Sequence, residues 1–242
     1  MVETEAGAAS RAGKPWSGGG REELASAVRR LMTMTVTSVA PSETLFDVAE
    51  RATTLADELD RHVPPPDAVP QARFADDVAR PGLAATMSSA MPFDMIVGTC
   101  NPVAPPITVD FQPPKAVGRV TFSPSYEGAP GCVHGAALAG AFDIMLTAAN
   151  FMANAAGPTV ELTIRYRKPT LISQPAVFET WVTRVEGRRI HSEGRLIQGG
   201  VVTVEAVGEF VDMERSRIAK MHRRGSAGPP DPSAEEVADS DR

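Results

Sequence analysis

Apolar side chains recur at helical spacing soon after the start of the chain. Leu24, Val28, Leu31 and Met32 fall at i, i+4, i+7 and i+8, one stripe of a helix. Pro41-Ser42 breaks and restarts the pattern. Leu45, Val48, Ala52, Leu55 and Leu59 then predict a second amphipathic helix ending near Arg61. Two such helices bury little by themselves, so they are expected to dock on the rest of the chain or on a partner. Residues 133–156 differ: Asp143 is the only acidic residue, Lys and Arg are missing, and apolar side chains occupy every face, which predicts a buried helix. Strand patterns flank it. Ile107–Phe111 and Val117–Phe122 precede it, separated by a Pro113-Pro114-Lys115 turn. Thr159–Lys168, Ala176–Val185, Ile190–Gln198 and Val201–Met213 follow. In the first of these, Val160, Leu162, Ile164 and Tyr166 alternate with Thr159, Glu161, Thr163, Arg165 and Arg167, so one face is apolar and one polar. Glu186-Gly187 and Gly199-Gly200 are turns, and the succession of strands predicts an antiparallel meander. A sheet with one apolar face, wrapped round one apolar helix, is the α+β arrangement this pattern predicts.

The remaining segments divide the chain. Residues 1–20 are mostly Gly, Ala and Ser and are expected to be disordered. His62 to Gly82 contains Pro64, Pro65, Pro66, Pro70 and Pro81, an extended connector. Residues 214–242 begin basic, end acidic and hold almost no apolar side chains, which predicts a frayed helix and a disordered tail.

Composition narrows the function classes. The formal charge of −6 argues against nucleic acid as a partner. Two cysteines, Cys100 and Cys132, make neither a disulfide framework nor a cysteine zinc site, and the four histidines are too scattered for a metal site. The first twenty residues carry no apolar run, so the expected compartment is the cytoplasm. Residues 133–156 are long enough to span a bilayer, but His134, Asp143, Asn150 and Asn154 would be costly there, so no membrane span is expected.

Candidate chemistry gathers around the central helix. Residues 128–135 read GAPGCVHG and run into it. A helix start carries unpaired N–H groups and the positive end of the dipole, and Gly135 has no side chain to keep a ligand away. Its amide could therefore receive a developing oxyanion, although a glycine-rich loop before a helix is also an ordinary structural feature. A carboxylate at Asp143 needs a partner among apolar neighbours. It is either a packing hydrogen bond or a nucleophile or general base. Thr159 opens the next strand with a hydroxyl that could orient a water or that carboxylate. His134 is either a base or a polar tether. Arg165, Arg167 and Lys168 end one strand and Arg188 and Arg189 sit at the next hairpin, so if those ends meet they form a cationic patch for phosphate groups.

These residues resemble the hotdog-fold acyl-CoA thioesterases, in the branch that holds the phenylacetate-pathway thioesterase and its mammalian relatives. That family has His-Gly-Gly before its central helix, an Asp within it and often a Thr opening the next strand. Here those positions read His134-Gly135-Ala136, Asp143 and Thr159. Arg165-Tyr166-Arg167-Lys168-Pro169 is similar to the family's basic stretch, and residues 98–102 (GTCNP) to its Gly-x-x-Asn-Pro entry. The resemblance covers about residues 91–213. It implies an α+β hotdog domain over residues 83–213; the helical extension and connector over 21–82 and the tail lie outside the resemblance. It also implies hydrolysis of an acyl-CoA at a site shared between subunits of a homodimer or of a dimer of dimers, with no metal or redox cofactor. In that scheme the Gly135 amide polarises the thioester carbonyl and the partner's Asp143 attacks it or activates water. Thr159 positions that group and His134 orients the thioester. Arg165, Arg167, Lys168, Arg188 and Arg189 take the phosphates of coenzyme A. A non-catalytic acyl-CoA-binding protein is the alternative. A hotdog dehydratase lacks its helix histidine here, since none lies between Asp143 and His191.

Overall fold

The computed structural model describes residues 20–63, 87–155 and 157–212; most of the expected disordered N-terminus, most of the proline-rich connector and the whole tail from 214 lie outside the described residues. The elements are α1 (Gly20–Thr37), α2 (Ser42–Asp60), the short α3 (Met87–Ala90), β1 (Thr108–Gln112), β2 (Lys115–Thr121), α4 (Gly135–Met152), β3 (Thr159–Tyr166), β4 (Pro175–Glu186), β5 (Arg189–Gln198) and β6 (Val201–Val211). The strands form one antiparallel sheet in the order β1-β2-β4-β5-β6-β3. The expected meander holds for β4, β5 and β6. It fails for β3, which lies on the far edge against β6, while β4 pairs with β2. Periodicity sets which face of a strand is buried but says nothing of its neighbours. The connection from β3 to β4 crosses beneath the start of α4, where the Val133 N–H donates to the Thr170 carbonyl and the Ile172 N–H to that of Gly131.

α4 lies on the apolar face of the sheet, with Phe142, Met145, Leu146, Ala148 and Ala149 fully buried. The close approach depends on small residues in the sheet. A Cβ at Gly118 would stand 2.6 Å from the Met145 sulfur, and one at Gly194 would meet the Phe142 ring at 3.3 Å. Phe142 packs edge-on against Phe178 with ring centroids 4.9 Å apart. The buried Thr180 hydroxyl donates to the Met145 carbonyl at 2.6 Å and ties β4 to the helix. α4 has the length and composition of a membrane-crossing helix, and half of it is buried in this protein.

The two N-terminal helices fare differently. Arg29 of α1 donates to the carbonyls of Ala104 (3.0 Å) and Asn101 (2.9 Å), and the Thr33 hydroxyl meets those of Ser123 and Ser125. α1 is thereby docked on the loops before β1 and after β2. α2 buries none of its residues, and its apolar stripe of Leu45, Leu55 and Leu59 is exposed.

Candidate active site

The loop before α4 is folded tightly on itself. The Gly128 N–H donates to the Cys132 carbonyl, the Cys132 N–H to that of Ala129 and the His134 N–H to that of Tyr126. Gly131 takes a φ of +75°, open to glycine at no steric cost. Burial pushes the Tyr126 hydroxyl up to about 12, so it remains protonated and donates to the Val103 carbonyl.

This loop delivers His134 as the N-cap of α4, exposed, with its Nδ1 accepting the Ala136 N–H at 3.0 Å. A ring nitrogen that accepts carries no proton, so the neutral imidazole keeps its proton on Nε2. The His134 carbonyl takes the Ala137 and Leu138 N–H groups. The Gly135 N–H has no acceptor among the described residues, while the Gly135 carbonyl accepts the Tyr166 hydroxyl at 2.9 Å. A Cβ at Gly135 would lie 3.1 Å from that hydroxyl oxygen, so a side chain there would press on this contact.

Asp143 is half-buried two turns further on, and its Oδ1 accepts the Thr159 hydroxyl at 2.6 Å. The period-two reading placed Thr159 on the outward polar face of β3 with Thr163 and Arg165. A register shift between Thr159 and Glu161 interrupts that alternation, and the hydroxyl of the exposed Thr159 reaches Asp143. A bulge re-aims a side chain in this way, and alternation alone could not reveal it.

The five basic residues do not meet. Arg165 lies opposite Glu205 on β6, whereas Arg189 lies opposite Val211, whose N–H reaches Pro158 just before β3 begins. Six residues of β6 separate the two levels, about 20 Å of strand. The conditional patch of Arg165, Arg167, Lys168, Arg188 and Arg189 is therefore not formed within one chain, because antiparallel pairing sends the β4–β5 hairpin to the opposite end of the sheet. Charge pairing divides them further. Arg167 holds Glu205 at 2.7 Å and Arg189 pairs with Glu209. Arg188 donates to the Asp212 carbonyl. Arg165 and Lys168 are exposed and have no ion pair among the described residues. Among those residues no group of three His, Cys, Asp or Glu side chains could hold a metal ion.

Sequence reasoning missed the contact of Tyr166 with Gly135. It sits 31 residues from Gly135 at the end of an edge strand, and only its apolar-face parity pointed toward α4.

Residues 130–205 match the family model of the thioesterase superfamily. A crystal structure of a thioesterase superfamily protein is 29% identical, with a TM-score of 0.68, over 80% of this chain and 96% of that one. Zebrafish thioesterase superfamily member 2 is 18% identical, with a TM-score of 0.42, over 44% of this chain and 81% of that one. A hypothetical thioesterase from Streptococcus pneumoniae, solved with coenzyme A, is 13% identical, with a TM-score of 0.42, over 44% of this chain and 88% of that one. Comparison with curated proteins finds no match.

Proposed function

We propose that this chain, a hotdog-fold protein whose residues 130–205 match the thioesterase superfamily model, hydrolyses an acyl-coenzyme A to the free acid and coenzyme A. The observation that carries this reading is the hydroxyl-held Asp143 carboxylate on the same helix whose first N–H, at Gly135, is open. Eight residues separate them, about 12 Å along the axis at 1.5 Å per residue. Reacting atoms need to approach to about 3–3.5 Å, so one chain's own Gly135 and Asp143 cannot serve the same carbonyl. A second copy supplies the missing half: the donor end of one α4 faces the carboxylate of the other. The unpaired outer edge of β3, with Val160 exposed, is the surface this pairing uses.

The thioester carbonyl oxygen lies against the Gly135 N–H and the His134 Nε2–H, which stabilise the charge that develops there. Thr159 occupies Oδ1 of Asp143, leaving Oδ2 to take a proton from a water molecule. The hydroxide oxygen bonds to the carbonyl carbon. Collapse of the tetrahedral intermediate breaks the carbon–sulfur bond, and the departing thiolate receives the proton. Coenzyme A is part of the substrate, and no further cofactor enters these steps. Arg165 and Lys168, exposed and without an ion pair among the described residues, would meet its phosphates.

Turnover of an acyl-CoA panel, read by release of free thiol, tests the proposal. Asp143→Asn is expected to lower kcat by about 10²–10⁴-fold, with the fold and coenzyme A affinity retained. Near wild-type turnover in the purified variant would remove Asp143 from the chemistry. A wild-type protein that binds acyl-CoA and hydrolyses none of the panel would establish the non-catalytic alternative.

A further inference from the structure

A chain of hydrogen bonds at the start of α4 has no part in the hydrolytic scheme. The Tyr166 hydroxyl donates to the Gly135 carbonyl at 2.9 Å. That carbonyl shares its peptide group with the Ala136 N–H, which donates to His134 Nδ1 at 3.0 Å. A donor on the oxygen of a peptide increases the polarity of its N–H, so the two bonds strengthen one another. Tyr166 comes from the last residue of β3, and Gly135 and His134 from the start of α4. The tyrosine is half exposed, at 54%, and it sits on the strand face that carries Leu162 and Ile164 toward the core. Its hydroxyl ties the end of β3 to the first turn of α4.

We propose that Tyr166 is a positioning residue that sets the protonation pattern of His134 through the Gly135–Ala136 peptide. The cap holds the lone pair of Nδ1 against Ala136, so the ring presents Nε2–H outward as a donor. Without the tyrosine hydroxyl the peptide is a weaker donor and the Gly135 carbonyl loses a partner. The imidazole then samples the opposite tautomer, which presents a lone pair to the substrate carbonyl where a donor is needed. The catalytic consequence rests on the hydrolytic reading above; the tautomer itself does not, because it is a property of the free protein.

The test uses the full chain labelled with ¹⁵N-histidine. Four histidines give few signals, and His134→Gln assigns the relevant pair. In the wild type at neutral pH, Nδ1 of His134 is expected to read as unprotonated and Nε2 as protonated. In Tyr166→Phe the two nitrogens move toward each other. With an acyl-CoA that the wild type turns over, kcat falls about 3–10-fold, the range of one modest hydrogen bond, and KM changes less than twofold. Unchanged ¹⁵N shifts in Tyr166→Phe overturn the relay whatever happens to kcat, since a kcat loss alone means that the hydroxyl acts on the substrate. Altered shifts with unchanged kcat overturn the positioning role. A wild type inactive on every acyl-CoA sinks the hydrolytic reading and leaves the relay to the nitrogen shifts alone.

Discussion

At the start of α4 the candidate groups are mainly backbone: an open Gly135 N–H, an Ala136 N–H capped by His134, and a Gly135 carbonyl held by Tyr166. Two turns further along they are side chains, with the Asp143 carboxylate fixed by the hydroxyl of Thr159. The two ends are anchored by opposite ends of one strand, Tyr166 finishing β3 and Thr159 opening it. One edge strand thus anchors both halves of the proposed site. Backbone donors come with any helix start and need only an unobstructed approach. A carboxylate on an apolar helix needs a hydrogen-bond donor brought from elsewhere.

The sharpest way to break this comparison is to destroy one end in each of two copies. Gly135→Val places a side chain against Tyr166 and the open amide, and Asp143→Asn removes the base. Each variant alone is expected to be nearly inactive. If the two ends act across a subunit boundary, random reassortment gives half heterodimers with one intact site in two, so activity returns to about a quarter of wild type. Mass spectrometry confirms that heterodimers have formed. Heterodimers without recovered turnover would mean that each chain uses its own pair, against the roughly 12 Å of helix between them.

A smaller effect separates holding the carboxylate from being the carboxylate. Thr159→Ala leaves Asp143 in place without its 2.6 Å donor. Loss of a hydrogen bond to a charged group is expected to cost about 1.5–3 kcal/mol, roughly a 10–100-fold fall in kcat, and Thr159→Ser should restore most of it. A Ser variant as slow as the Ala variant would locate the role of Thr159 in its methyl group and β-branched packing.

Much of this arrangement is legible in the sequence. The all-round apolar pattern of residues 133–156 marked α4, and a carboxylate within it announced that Asp143 needed a partner. The period of two in β3 separated its apolar side from its charged side. What could not be read was long-range. Placing β3 beside β6, across the sheet from β4, depends on the path of the connection beneath α4. The bulge that turns Thr159 toward Asp143 depends on the register with β6. Arg167 reads as a free cation until Glu205, 38 residues away, is found against it. Local spacing carries none of these distances.

The same register yields the last and smallest expected effect. If coenzyme A crosses the donor end of the site, its phosphates meet Arg165 and Lys168, which have no ion pair among the described residues. If it crosses the carboxylate end, they meet Arg188 and Arg189, of which Arg189 is already paired with Glu209. A cation held by a neighbouring carboxylate must give up that partner or share it, so it contributes less to an incoming phosphate. Arg165→Ala and Lys168→Ala are therefore expected to raise KM for an acyl-CoA a few-fold each, with kcat little changed. Arg167→Ala should do less, because Glu205 already neutralises it. The KM effect should shrink as ionic strength rises, since exposed charges are screened beyond about 8–10 Å in physiological salt. It should vanish for a short acyl thioester without the nucleotide. Arg189→Ala serves as the control from the other end. A larger KM change there than at Arg165 and Lys168 would route coenzyme A past the carboxylate end, and an equal change for both substrates would show that these cations only support the fold.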